Sequence, residues 1–285
     1  AIEGDVIIVA DGVYSGPGNI KLDYNGKGVI VQSAGGPDNC IIDCTDSGPA
    51  VDFRDAEPAH ARFSGFTITD ADTSGIYCHD SSARVDNCVI TNCFEGDHGG
   101  AFCISRSNMK IYNCKLFNNS AVSSAGGIRI AWGSQVEVAM CEIIGNSCAH
   151  AGGGIWLEYG GGARVFNCLI AENYSGWRGG GIACDGTGLE IINTTIVNNS
   201  TGGHQHVAGG GIVGNSSATI TLANSIVWSN LPNQIGVENS TFGINYSIVQ
   251  GGWPGIGNID EDPLFITGPY GAFYLSHMET GQADN

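Results

Sequence analysis

The sequence predicts an all-β solenoid of roughly ten coils, in which short parallel strands stack coil upon coil. Two repeated motifs and the lack of any helical pattern predict it. Six segments align on one motif: VDNCVITNC (85–93), IYNCKLFNN (111–119), VAMCEIIGN (138–146), VFNCLIAEN (165–173), IINTTIVNN (191–199) and LANSIVWSN (222–230). Their fourth residues, Cys88, Cys114, Cys141, Cys168, Thr194 and Ser225, lie 26, 27, 27, 26 and 31 positions apart. Ahead of each runs a second motif: SGIYC from 74, GGAFCI from 99, GGIRI from 126, GGIWL from 153, GGIAC from 180 and GGIVG from 210. Both motifs are short Val/Ile-rich runs bounded by Gly, Asn and Ser, the pattern of strands and turns. No window shows a 3.6-residue apolar period, so turns rather than helices connect them. A fixed period without tight hairpin signals winds as a coil, with strands of successive coils about 4.8 Å apart.

Composition fits one ordered domain. The chain has 285 residues, 42% hydrophobic, with 45 Gly and 8 Pro. That excludes disorder, and the absence of a three-residue Gly period excludes collagen. Residues 1–60 read as N-terminal coils, 61–235 as regular repeats and 236–285 as a closing segment of a single domain. Eleven Lys and Arg against 28 Asp and Glu give a formal charge of −17, which should repel nucleic acid and anionic membranes. An acidic, oxygen-rich surface suits Ca²⁺ as a companion, though composition names no site. No apolar stretch reaches the roughly 20 residues of a bilayer span, and no signal peptide opens the chain, so a mature soluble protein, or a piece of one, is expected.

Within a coil, strand side chains alternate in and out. Placing Ile76, Phe102, Ile128, Ile155, Ile182 and Ile212 inside also turns Cys78, Ile104, Ile130, Leu157 and Cys184 inside. Tyr77, His79, Cys103, Arg129, Trp156, Glu158, Ala183 and Asp185 then face out, and a one-residue slip would invert every assignment. The Gly pairs let the backbone bend without a Cβ. They are no phosphate loop, since no helix follows. The Cys88 to Cys168 column, continued by Thr194 and Ser225, reads as small side chains filling a narrow interior rather than a metal or redox wire. Eleven cysteines leave at least one thiol unpaired, none lies in a CxxC, and Cys40 with Cys44 is the best disulfide candidate. Asn119, Asn146, Asn173, Asn199 and Asn230, headed by Cys93, mark a turn where Asn adopts the left-handed conformation and bonds the next coil's amide.

These motifs resemble the right-handed parallel β-helix superfamily that includes pectate lyases. The GGxI and NCxIxxN pairing is especially similar to chlamydial polymorphic outer-membrane proteins and bacterial surface β-helix proteins. The resemblance covers nearly the whole chain: GDVIIVADGVYSG (4–16) is similar to a first strand and NIDEDPLFITGPYGAFYLS (258–276) to a closing segment. It implies an N-terminal capping helix that this sequence lacks, and so a chain excised from a longer extracellular or cell-surface protein. It also places ligand clefts on an outward strand face and its adjoining loops.

On that face the candidate substrate-binding residues are Tyr77, His79, Trp132, Trp156, Tyr159, Trp177 and Arg178, flanked by Asp97, His98 and His150. Aromatic rings stack on sugar faces while acids bond hydroxyls, which suits a polysaccharide or surface glycan. Glu158 and Asp185 occupy equivalent places on neighbouring coils, with Cα atoms about 4.8 Å apart. They are two solvated acids, or the close carboxylate pair of retaining glycoside hydrolysis. A lyase would need a base, which the resemblance implies is Lys or Arg, and Arg129 and Arg178 are the basic candidates. His204 and His206, two apart in the longest inter-strand loop, read as part of a solvated loop or as a chelating pair for a transition metal. Asp260, Glu261 and Asp262 read as a cap for the closing turn or as ligands for Ca²⁺. Three functions follow: a scaffold or adhesin contacting carbohydrate, a polysaccharide hydrolase or lyase, and a structural subunit that associates end to end.

Overall fold

The computed structural model describes residues 1–45, 48–202, 208–268 and 271–275. Among them there is no helix. The chain winds as a parallel β-solenoid with three main faces. Ten strands, from Val6–Val9 to Thr241–Asn245, form the first face; ten more, from Gly12–Ser15 to Ile248–Val249, form the second. Eight strands from Val51–Phe53 to Asn233–Val237 form the third face, and five two-residue strands from Phe94–Glu95 to Ser200–Thr201 line a narrow fourth edge. One coil illustrates the path: Ile155–Leu157 on the third face, Gly162–Phe166 on the first, Leu169–Ala171 on the second, Tyr174–Ser175 at the edge, then back to the third face at Ile182–Asp185. The described part of the closing segment includes an antiparallel pair, Phe265–Gly268 with Gly271–Leu275.

The inward register holds. Ile76, Phe102, Ile128, Ile155, Ile182 and Ile212 pair in one column, and all are fully buried in a single apolar core. Each such side chain contributes about 1.5–3 kcal/mol by leaving water. Glycine at two neighbouring positions lets the coils stack this closely. Gly152 has φ +69°, and a Cβ on Gly153 would stand 2.4 Å from the carbonyl oxygen of Tyr174 one coil on.

Three sequence expectations need correction. Asn-Cys does not sit inside a strand; it is the corner between the first and second faces. Asn87, Asn113, Met140, Asn167, Asn193 and Asn224 turn that corner with φ of 50–55°. The following Cys, Thr or Ser does more than fill space. The amide of Cys114 donates to Sγ of Cys141, that of Cys141 to Sγ of Cys168, that of Cys168 to Oγ1 of Thr194, and that of Thr194 to Oγ of Ser225. Sulfur and hydroxyl are interchangeable here because each accepts one amide and donates to the carbonyl two residues back.

The second correction concerns the Asn column. Its ladder is present: Asn146 takes the amide of Asn119 at 3.1 Å and gives its own amide to Asn173 Oδ1 at 2.9 Å. The left-handed residue, however, is the one before, namely Asn92, Asn118, Gly145, Glu172, Asn198 and Ser229. The third is the Cys40–Cys44 disulfide. All eleven cysteines are free and buried. Cys40 opens the strand Cys40–Asp43, so four extended steps separate it from Cys44 by about 13 Å, far beyond bridging reach.

Candidate functional site

The outward side of the third face is a groove rather than an open wall. Tyr77, Cys103, Arg129, Trp156, Ala183 and Val213 form its central column. The turns before the Gly pairs fold over one flank, where Ala125, Ala151, Trp156, Ala183 and Val213 make a small apolar cluster separate from the core. This explains how outward residues become buried: Arg129 is 4% exposed, Glu158 5% and Trp156 8%. The groove holds two adjoining cavities. One, about 430 Å³, lies over Tyr77, His79, Arg129 and Trp132; the other, about 410 Å³, lies over Arg178, Asp185, Gly186 and Ser216. They share His150, Trp156, Glu158 and Tyr159. A further depression of about 490 Å³ lies on the first face over Lys110, Glu137, Arg164 and Glu190, apart from this groove.

The opposite flank is a column of left-handed residues, each four positions after an inward residue. Asp80, Arg106, Trp132, Tyr159, Gly186 and Ser216 have φ of 52°, 49°, 56°, 49°, 67° and 54°. Large aromatics rarely hold such a conformation, which costs on the order of 1–2 kcal/mol each. Trp132 and Tyr159 nevertheless stack with centroids 4.4 Å apart and planes within 16°, and both are more than half exposed. The next position in the column is Gly186, so the far face of Tyr159 looks onto a place with no side chain.

Glu158 and Asp185 are not solvated acids. Oε1 of Glu158 accepts Nε of Arg129 at 2.7 Å, and both side chains are about 95% buried. Asp185 Oδ2 accepts Nε1 of Trp156 at 2.9 Å and Nη2 of Arg178 at 3.0 Å. Each carboxylate is therefore clamped by a different guanidinium. Burial pushes the Glu158 carboxyl above its usual range, Asp185 adds to that, and Arg129 opposes it. Burial lowers His98, helped by Arg129, and lowers His150, helped by Arg178, so both are neutral at pH 7. The His150 ring lies 5.7 Å from Trp156 and 4.5 Å from Trp177, while Arg178 stacks on Trp177 at 4.3 Å.

Hydrogen-bonding capacity is left over in this groove. Asp185 Oδ1, Arg178 Nε and His79 Nδ1 are buried without a partner. Buried polar atoms of this kind cost on the order of 1–3 kcal/mol unless something meets them. The two cavities thus bring together every residue expected to bind substrate or act on it except Trp177, which lines neither and packs against His150 and Arg178. His204 and His206 lie outside the described residues. At the closing turn, Asp260 accepts the amide of Gly251 and Asp262 that of Leu264, the capping role. Among the described residues, one group of three has ligand atoms close enough for a cation: Asp23, Asp55 and Glu57, near the N-terminal coils and away from the groove.

Two features escaped the sequence: the Asp80–Arg106 ion pair on the left-handed flank, and Glu238, which reaches Arg178 at 3.5 Å. The first was readable, since Asp80 and Arg106 stand four residues after Ile76 and Phe102 as Trp132 and Tyr159 do after Ile128 and Ile155. Glu238 lies beyond the last aligned repeat, where spacing gives no guide.

A family model described as right handed beta helix region matches residues 55–227. No curated protein matches by sequence. The pectate lyase Pel9A superposes with a TM-score of 0.53 at 13% identity over 90% of this chain, which spans 62% of that lyase. The A-module of the Azotobacter vinelandii mannuronan C-5 epimerase AlgE4 matches 90% of this chain and 86% of its own, at TM-score 0.37 and 14% identity. The alginate lyase AlyGC, of family PL6, matches 98% of this chain and 53% of its own, at TM-score 0.26 and 13% identity.

Proposed function

Because the chain belongs to the right-handed β-helix family, we propose that it is an extracellular or cell-surface β-helix module that holds a carbohydrate along its third face. One arrangement carries the reading: the open face of Tyr159 above Gly186, beside the unspent Asp185 Oδ1 and Arg178 Nε. A sugar ring offers an apolar face to the aromatic ring and hydroxyls that both donate and accept. A structural relative being a pectate lyase makes glycans the first ligand class to test.

Titration of tryptophan fluorescence against a polysaccharide panel tests this directly. Tyr159→Ala should weaken binding about tenfold, the scale of one lost stacking contact with its hydrogen bonds, without lowering stability by more than about 1 kcal/mol. Equal binding by Tyr159→Ala and the parent chain would remove the groove from the account.

The raised carboxyl of Glu158 favours a second reading, a glycoside hydrolase. Glu158 would protonate the leaving oxygen while Asp185 stands as nucleophile or base. The acid must be protonated, so turnover would fall as pH rises through the raised value of Glu158. Glu158→Gln would then lose at least about 100-fold in turnover while keeping its glycan affinity. Binding with no new reducing ends across the panel leaves the binding module alone.

A further inference from the structure

We infer that the glycan held in this groove is electrically neutral, carrying neither uronate nor sulfate. This rests on the carbohydrate reading above and specifies its ligand class. An anionic sugar needs a cation with charge to spare, because a carboxylate or sulfate loses strong hydration on entering a partly buried groove. Here every guanidinium along the third face is already engaged. Arg54 pairs with Asp52 at one end, and Arg106 is bidentate to Asp80 at 2.7 and 2.8 Å. Arg129 is closed on Glu158, and Arg178 is shared between Asp185 and Glu238. Four guanidinium groups thus face five carboxylates.

Nothing else among the described groove residues supplies positive charge. No lysine lines either cavity, burial drives His98 and His150 toward their neutral forms, and His79, the third histidine of the lining, already lies 3.3 Å from the Asp80 carboxylate. Among the described residues, the one group of three with ligand atoms close enough for a cation, Asp23, Asp55 and Glu57, lines neither cavity. A ligand carboxylate beside Asp185 Oδ1 would meet a like charge on a protein of net charge −17. A hydroxyl meets the opposite situation. Once the two side chains shift enough to uncover them, it can donate to Asp185 Oδ1 and accept from Arg178 Nε, spending both orphaned atoms without breaking an ion pair.

The test is calorimetric titration of the whole chain with matched oligosaccharides that differ in charge alone. Oligogalacturonate and oligomannuronate are compared with their carboxyl-reduced twins, alongside neutral glucan, xylan, mannan and galactan oligosaccharides. Each is run in chelator and again in millimolar Ca²⁺. The expected result is binding of a neutral member at least tenfold tighter than any acidic oligosaccharide in both media. Equal or tighter binding of an acidic twin, with or without Ca²⁺, overturns the neutral assignment and leaves the carbohydrate reading standing. Absence of binding by the entire panel overturns the carbohydrate reading and this inference with it. Asp80→Asn gives a second readout, because it frees Arg106 on an exposed flank where Asn tolerates the left-handed backbone. Acidic oligosaccharides should gain at least threefold in affinity; no gain would show that ion pairing is not what excludes them.

Discussion

Cys141 shows how much a single small side chain does in this architecture. Its Sγ accepts the amide of Cys114 and faces the carbonyl of Ala139 at 3.2 Å, so the thiol spends both a donor and an acceptor at a buried corner. Serine can make the same two bonds, and the column itself uses Ser225 and Thr194 in the same way. Cys141→Ser should therefore change stability by no more than about 1 kcal/mol, whereas Cys141→Ala leaves the Cys114 amide unmet and should cost about 1–3 kcal/mol in urea unfolding. Equal losses in the two variants would return the column to mere packing. The sequence could show that these positions recur and stay small. It could not show that they hydrogen-bond, because that depends on a corner whose left-handed residue, such as Asn113 or Asn167, stands immediately before the Cys.

At the scale of one element, the left-handed flank sets where the proposed ligand would lie. Trp132 and Tyr159 occupy it in successive coils, and Gly186 interrupts it. Tyrosine already tolerates this backbone one coil away, so Gly186→Tyr should fold with a loss of about 1–2 kcal/mol and add a third ring to the stack. That ring would fill the place above Tyr159 and should cut glycan affinity at least about tenfold, the energy of one stacked contact. Unchanged affinity would move the ligand off this flank. The strand register of the same coil was legible, because the 26- to 27-residue period aligns Ile155 with a column that stays apolar in every coil, while Trp156 falls in a column shared with Tyr77 and Arg129. The pairing of Arg129 with Glu158 was not. Both residues were placed on one face, but the contact runs diagonally between coils and depends on Glu158 lying just past the end of its strand, Ile155–Leu157. Burial of that pair was equally hidden, since it comes from turns folding over the flank rather than from alternation along a strand.

Across the whole molecule, the excess negative charge is separated from the groove proposed to hold the glycan. The surface carries a net −17, while the groove cations are each closed on a carboxylate. Self-repulsion of that excess acts over about 10 Å at 0.1 M salt and is largely screened above it. Raising NaCl from about 20 to 200 mM should therefore lift the melting temperature by a few degrees, as about 1 kcal/mol does in a chain of this length. Binding of a neutral glycan should not follow. The contacts proposed for it are stacking on Tyr159 and hydrogen bonds to Asp185 and Arg178, whose ion pair is about 87% buried and screened little. Affinity measured over the same salt range should stay within about twofold. If it weakened steeply with salt while the melting temperature rose, the ligand would have to be drawn in by net charge, and the closed ion pairs of the groove would not be what selects it.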